Sequence, residues 1–355
     1  MISKVYFTQV KDSNDNADVI GRLKTLLEKS RILDVVGNND KVAVKAHFGE
    51  EGNTGYVRPE YVSVVCQSIS ARGGVPVIAD TNTLYHGKRS NSKDHLECAR
   101  KHGFTKESVG ADIVIPDDAD KKNTRLVNVN AKLIKSAKVS GLFLDADAII
   151  AVNHFKGHVL AGFGGALKNI GMGCATREGK LAQHCDVAPV VHKDECIGCK
   201  ACMNICPAKA IQMEDARAVV DKALCVGCAD CILVCPTNAM FIDFKAGRAV
   251  QEKMAEYASA VIKNKKRMAY INFAVRILKE CDCWGMETPQ IAPDVGIFAS
   301  LDPVAIDKAS YDMVLKACGK DPFKEVHPDQ DGTIQLKYAA ELGLGNLDYE
   351  LIEIK

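Results

Sequence analysis

Short runs rich in β-branched and apolar residues alternate along the chain with longer stretches in which apolar residues return every three to four positions. This is the pattern of strands alternating with amphipathic helices. The strand runs are Lys4 to Gln9, Lys41 to Ala46, Val75 to Ala79, Asp112 to Ile115, Ala148 to Val152, Met268 to Phe273 and Asp294 to Ala299. The helical stretches are Asp18 to Leu33, Pro59 to Arg72, Ser92 to Lys101, Val250 to Asn264, Pro303 to Cys318 and Ile334 to Leu342. Asp18, Ser92 and Asp302 stand where a side chain can accept from the orphan N–H groups of a first turn, and Pro59 and Pro303 suit a position that needs no N–H. The succession predicts an α/β fold, a mostly parallel sheet flanked by helices.

Near Val191 this rhythm stops. The sequence becomes short-period, turn-rich and dense in cysteine, and after Phe244 the α/β pattern resumes with a long helix. The organisation predicted is an α/β domain in two parts, residues 1–190 and 247–355, interrupted at 191–246 by a small α+β insert whose ends lie close together so that the flanking parts complete one core. Within the insert, Cys196-Ile-Gly-Cys-Lys-Ala-Cys-Met-Asn-Ile-Cys-Pro207 is repeated as Cys225-Val-Gly-Cys-Ala-Asp-Cys-Ile-Leu-Val-Cys-Pro236.

That spacing places three thiolates on corners of one iron–sulfur cubane and sends the fourth, held by the following proline, to the other. Cys196, Cys199, Cys202 and Cys235 form one predicted [4Fe–4S] ligand set, and Cys225, Cys228, Cys231 and Cys206 the second. Gly198 and Gly227 let the backbone approach the clusters closely and aim N–H groups at sulfur. Paired structural zinc sites also use four cysteines, but the tandem repeat is more specific than a bare Cys-x-x-Cys. Two adjacent clusters imply an electron relay.

Composition narrows the setting. Charged residues make up 26% of the chain and the net charge is +1, so no field steers it to nucleic acid or an anionic membrane, and the short run Lys263, Lys265, Lys266, Arg267 reads as a solvated helix end. No apolar stretch reaches spanning length and no signal pattern opens the chain, which predicts a cytoplasmic protein. Its 15 cysteines are then metal ligands rather than disulfide partners, with Cys66, Cys98 and Cys318, set in apolar helical patterns, as core residues.

Ligands of open parallel sheets bind beyond the carboxyl ends of the strands. The predicted strand ends lead into His47-Phe-Gly-Glu50, Asp80-Thr-Asn82, Asn153-His154-Phe-Lys156-Gly-His158, Cys281-Asp-Cys283-Trp284 and Ser300-Leu-Asp302. His154, His158, Lys45 and His47 are therefore the candidate catalytic residues. Lys45 interrupts an apolar strand, where a buried ammonium needs a partner, although an edge lysine facing water would read the same way. Lys156 and Lys168 flank Ala161-Gly-Phe-Gly-Gly165, and a helix entered through those glycines would offer free N–H groups, so the two lysines are candidate anion-binding residues. No Walker or dinucleotide fingerprint is matched. Cys281 and Cys283, with Cys174, Cys185, His47, His154, His158 and His184 as co-ligands, form a candidate site for one further metal ion, zinc or iron; the plainer reading of each of these residues is a buried thiol or a surface histidine.

The segments Lys45 to Glu50, Asn153 to His158, Gly164 to Gly173, Cys281 to Cys283 and Ser300 to Asp307 resemble the family called domain of unknown function 362, members of which often carry an inserted ferredoxin module. The resemblance implies one α/β unit with such an insert and supplies no reaction; the insert itself resembles bacterial two-cluster ferredoxins. Together these features predict an iron–sulfur oxidoreductase in which two [4Fe–4S] clusters pass electrons between a soluble carrier or redox partner protein and a small anionic substrate on the α/β rim. The rival readings are an electron-transfer protein that only docks partners, which needs no pocket, and a maturation factor that holds a cofactor or metal for another enzyme.

Overall fold

The computed structural model describes residues 2–355 apart from 85–86, 118–121, 185–188, 207, 223, 226–229 and 242–246. Among the described residues eight strands build the main sheet: β1 (Ser3–Gln9), β2 (Lys41–Lys45), β3 (Val75–Ala79), β4 (Asp112–Val114), β5 (Ala148–His154), β6 (Met268–Ala274), β7 (Gly296–Ser300) and β8 (Tyr349–Glu353). They lie in the order β8-β1-β7-β6-β5-β2-β3-β4. Every pairing is parallel except the two that β7 makes, with β1 and with β6. The expected α/β class, with a mostly parallel sheet and flanking helices, is the one observed.

Strands covered on both faces must be apolar on both, and β5 and β6 are buried at every position. Alternate residues serve two cores. Val42 and Val44, Ile150 and Ile271 meet Val19 and Leu23 of helix α1 (Asn16–Ser30) and Val62 and Val65 of α2 (Pro59–Ser70); α3 (Ser92–Lys101) follows β3. Ala43, Ile149, Ala151 and Tyr270 face the other way, with Leu167 of α4 (Ala166–Gly171), Ala255 and Ala258 of α6 (Gly247–Ile262), Val304 and Ala305 of α7 (Pro303–Cys318) and Leu336 of α8 (Thr333–Glu341). Between α4 and α6 lies α5 (Arg177–His184). None of these helices is long and apolar enough to cross a membrane.

Three expectations shift. Asp15 rather than Asp18 caps α1, accepting from the Asp18 N–H at 3.1 Å, and Asn91 rather than Ser92 caps α3. Asp302 caps α7 as expected, accepting from the N–H groups of Val304 and Ala305. The third change matters most for function: because β7 runs antiparallel, its carboxyl end, Ser300-Leu-Asp302, lies at the opposite edge from the other strand ends. Asp302 there accepts from Ser3 Oγ at 2.6 Å and takes no part in the rim.

The cysteine-rich segment has its own small architecture. Val190–Val191 pairs with Met240–Phe241, bringing its ends together, and Ile211–Glu214 forms a hairpin with Arg217–Val220. Cys196, Cys202 and Cys231 share a compact core with Ile211, Ala218 and Met240. Strands from before and after this segment meet in the main sheet, β5 pairing with β6 from Ile149↔Met268 to His154↔Phe273.

Candidate functional site

At the carboxyl ends of β2, β3 and β5 the structure opens a cavity of about 840 Å³, counting its mouth. Its walls carry His47, His154, Lys156, His158 and Lys168, together with Cys281 and Cys283. Segments more than 200 residues apart in the sequence thus meet here. Lys45 lies beneath, fully buried, so the eight predicted rim side chains fall in one place, and Ser300 to Asp302 do not.

The floor is a network of ion pairs. Lys45 Nζ stands 3.0 Å from Asp80 Oδ1 and donates to Asn169 Oδ1 at 2.7 Å and to the Ala46 carbonyl at 3.0 Å. It is neither an edge lysine nor free to meet a ligand; it is a buried charge with its partner. Burial alone would raise Asp80, but Lys45, His95, Lys180 and Arg89 around it hold its carboxyl down at about 2. Asn169 donates in turn to Asn153 Oδ1, Asn153 to Asn272 Oδ1, and Asn272 to Asp307 Oδ1, at 2.7–2.9 Å. Asp307 closes the chain by accepting from the N–H groups of Ala166 and Leu167 at 2.7 and 2.9 Å.

That last contact corrects one expectation. The N–H groups entered through Gly164 and Gly165 are not an anion site, because the Asp307 carboxylate already occupies them. The glycines are required for closeness instead: a Cβ on Gly165 would stand 2.3 Å from Asp307 Oδ1, and one on Gly173 2.4 Å from Lys45 Cε. Burial pushes Asp307 up to about 6 despite its three donors.

The four histidines play different parts. Both ring nitrogens of His154 face acceptors, Asp282 Oδ1 at 2.7 Å from Nδ1 and the carbonyls of Val275 and Arg276 at 3.1 Å from Nε2. Through these contacts His154 locks Asp282 in place. Although burial opposes it, His154 and Lys156, the latter 3.3 Å from Oδ2, hold Asp282 well below the usual carboxylate range. His158 Nδ1 accepts from the N–H groups of Leu160 and Ala161, which leaves its proton on Nε2, and burial with Lys168 and His184 nearby keeps it neutral. His184 Nδ1–H donates to the Lys180 carbonyl at 2.7 Å, and burial brings its ring down to about 4. The Gly49 N–H stands 3.1 Å from His47 Nδ1. Burial and then Arg89 hold that ring well below its ordinary range. Arg89 Nη1 stands 2.9 Å from its Nε2. A neutral ring can accept from only one of these two donors, the Gly49 N–H and Arg89 Nη1, and among the described residues Arg89 Nη2 is buried without a hydrogen-bond partner.

The cysteine pair is the other chemical centre. The chain turns back after Cys281, the Trp284 N–H donating to the Cys281 carbonyl at 3.0 Å, and both thiols line the cavity. Lys168 Nζ stands 3.2 Å from Cys281 Sγ. The neighbouring Cys283 thiol, then Lys168 and Lys156, outweigh burial and hold Cys281 well below the ordinary thiol range, while Cys283 is pushed well above it. Burial works against the charge of Lys168, yet Cys281 and Cys283 raise it above its usual value. A further zinc or iron at this pair gains no support from the geometry: an ammonium already sits on Cys281, and among the described residues no group of three or more His, Cys, Asp or Glu side chains converges on one point to hold a metal ion. Of the other named co-ligands, Cys174 is buried in the core and Cys185 lies outside the described residues. Cys66 and Cys98 are core residues and Cys318 packs at the core's edge.

In the inserted segment, Cys196, Cys199, Cys202 and Cys235 line one common cavity of about 330 Å³. A cubane sits at the centre of thiolates held well apart, so a cavity between four sulfurs, rather than mutual contact, is the arrangement it requires. Backbone N–H groups already point at sulfur, Ala218 to Cys196 Sγ at 3.5 Å and Ala210 to Cys206 Sγ at 3.3 Å. Gly198 has φ +67° and its position would put a Cβ 2.5 Å from the Ala216 carbonyl. Of the second set, Cys228 and its neighbour Gly227 lie outside the described residues. The four cysteines of the first group share a cavity, and among the described residues no three or more His, Cys, Asp or Glu side chains converge on one point there either.

Pattern reading missed Arg89 and Lys180. Arg89 sits in a polar turn with no periodicity to mark it. Lys180 left a trace, standing four residues before His184 and so on the same helical face. It donates to the Thr81 carbonyl at 2.9 Å, the Asn82 carbonyl at 2.6 Å and Thr81 Oγ1, and burial lowers it to about 8.

No curated protein matches the chain. Two of the solved structures similar to it are the following. One is a lactate racemase apoprotein from Thermoanaerobacterium thermosaccharolyticum, at 16% identity over 77% of this chain and 51% of that one, with a TM-score of 0.40. The other is a Thermotoga maritima protein solved by a structural genomics consortium, at 13% identity over 84% and 58%, also with a TM-score of 0.40. This chain thus spans between half and three fifths of the length of each. A family model described as "Domain of unknown function (DUF362)" matches residues 42–312, the stretch that contains every wall of the cavity, and the chain belongs to that family.

Proposed function

We propose that this protein is an iron–sulfur oxidoreductase that passes electrons through two [4Fe–4S] clusters in segment 191–246 to the cavity at the sheet edge, where a small anion is bound and reduced or oxidised. The observation that carries the reading is the placing of Cys196, Cys199, Cys202 and Cys235 around one cavity, the ligand set that the tandem spacing dictates. They would hold one cluster, and Cys225, Cys228, Cys231 and Cys206 the other; when bound, these groups supply one-electron chemistry. Ile197, Ile205 and Leu224, exposed on the same segment, give a soluble electron carrier an apolar place to meet it.

The electrostatics of the second cavity support the anion. Arg89 lines the cavity, and its Nη2, buried without a hydrogen-bond partner among the described residues, is a donor that an oxygen of a carboxylate or similar anion would satisfy. Lys156 and Lys168 add positive charge on the same wall. His158, with its proton on Nε2, is the group placed to donate a hydrogen bond or a proton to a bound anion. His154 and Lys45 act as positioning residues, holding Asp282 and Asp80. A docking protein with no substrate needs no such cavity, and the cavity favours the first reading.

The test is anaerobic purification followed by iron and acid-labile sulfide analysis and electron paramagnetic resonance after dithionite reduction. Eight irons per chain and reduced-cluster signals are expected for two clusters. Zinc in place of iron, with no sulfide, would falsify the reading.

A further inference from the structure

We infer that Cys281 and Cys283 form a reversible dithiol/disulfide that stores two electrons at the cavity wall. The inference deepens the electron-transfer reading above and depends on it for the source of the electrons, though not for the chemistry of the pair.

Position comes first. The chain turns back between Cys281 and Trp284, with the 3.0 Å bond from the Trp284 N–H to the Cys281 carbonyl, and such a turn brings Cα atoms to within about 7 Å across four residues. Two cysteines inside it fall within the roughly 4.4–6.8 Å Cα separation that a disulfide spans. The residue between them cannot swing: Asp282 is fully buried and held by His154 at 2.7 Å and Lys156 at 3.3 Å. With Asp282 pinned there, both flanking cysteines line the same cavity. No other described cysteine outside segment 191–246 has a cysteine two residues away.

Charge comes second. Thiol–disulfide exchange runs through a thiolate, and Lys168 Nζ, 3.2 Å from Cys281 Sγ, provides the counter-ion that lets a buried sulfur carry negative charge. Cys283 is partly exposed, whereas Cys281 is buried. On reduction the Sγ–Sγ bond takes up two electrons and one proton; the bond breaks, Cys283 leaves as a thiol and Cys281 as the thiolate paired with Lys168. On oxidation the same two electrons and one proton are given back. Two electrons are the quantity that two one-electron clusters can deliver together, so the pair would join one-electron traffic in the insert to two-electron chemistry in the cavity.

The experiment uses the anaerobically purified holoprotein, equilibrated with mixtures of reduced and oxidised dithiothreitol, quenched with acid, alkylated and digested. The peptide containing Cys281 and Cys283 is followed by mass spectrometry. Expected is a single two-electron transition between a doubly alkylated peptide and an unalkylated one with an internal disulfide. Two alkyl groups at every poise would overturn the inference, as would disulfides formed only with other cysteines. Lys168→Met, which keeps the apolar stem, removes the charge that favours the reduced form; the equilibrium ratio should move roughly tenfold or more towards disulfide. An unchanged ratio in a variant that melts like the wild type would overturn the role of Lys168. Iron analysis separates the two readings. A transition in protein that never holds iron supports the dithiol and overturns the clusters, whereas eight irons with no transition at any poise does the reverse.

Discussion

The two thiol-lined cavities are built in opposite ways. Around Cys196, Cys199, Cys202 and Cys235 the walls come from one segment of the chain, ionic partners are few, and a small apolar core of Ile211, Ala218 and Met240 is the support. Around Cys281 and Cys283 the walls come from strand ends scattered over the whole sequence, and Asp80, Arg89, His154, Lys156 and Asp282 are tied into ion pairs. The second is already braced, and its charges leave only particular donors over. A cavity of the first kind suits a permanent resident, and one of the second kind suits a ligand that comes and goes.

The contrast can be broken at its strongest point by Cys235→Ser. If the first cavity is completed by a cluster, the variant should lose about half of the iron of a two-cluster protein; iron analysis giving the wild-type value would remove the distinction between the cavities. Next in size is Asp80→Ala, which strands the fully buried Lys45 without its carboxylate. A loss of ~3–5 kcal/mol is expected in urea unfolding at neutral pH, and a loss below ~1 kcal/mol would mean that the second cavity is not braced as described. Acid should act on the same pair. Asp80 is held at about 2 against an ordinary 3.8, so its folded-state value is depressed. The stability it provides is fully present above about pH 4 and is lost as pH falls through 2. The lost amount is ~2 kcal/mol at 1.36 kcal/mol per unit, and Asp80→Asn should flatten that limb of the stability–pH curve. Smallest of all should be Ile197→Ser, at the mouth of the first cavity and 66% exposed. Its effect on unfolding free energy should stay within about 0.5 kcal/mol; a larger one would show that this face is covered in the intact protein.

How much of this the sequence displayed depends on how local the cause is. The strands of the sheet centre were legible because a strand buried on both faces must be apolar throughout, as Ala148 to Val152 is. Their carboxyl ends then located His47, His154, Lys156 and Cys281 without any knowledge of packing. The direction of β7 was misread, although the cue was present: no helical stretch separates Phe273 from Asp294, and a parallel return would need a crossover of that kind. β8 escaped notice because Tyr349 to Glu353 is largely exposed at the sheet edge and carries acidic residues. Asp307 shows a different limit. In sequence it is one carboxylate on a long helix, and only the tertiary approach of α4 gives it Ala166 and Leu167 to cap, which reversed the expected role of the glycines. Arg89 is the extreme case, since its partners Glu50, His47 and Asp80 lie on other elements and nothing local distinguishes it from a surface arginine.

The pairing of Val190–Val191 with Met240–Phe241 carries one more consequence. Opposed residues of an antiparallel pair stand only about 4.5–5.5 Å apart, so the whole cysteine-rich segment enters and leaves through a gap that a few residues could bridge. The register of β5 on β6 runs past that segment without using any of its residues. A version of this chain with a short turn joining those two points would keep its charged cavity and lack the insert, and relatives with and without it could share one sheet.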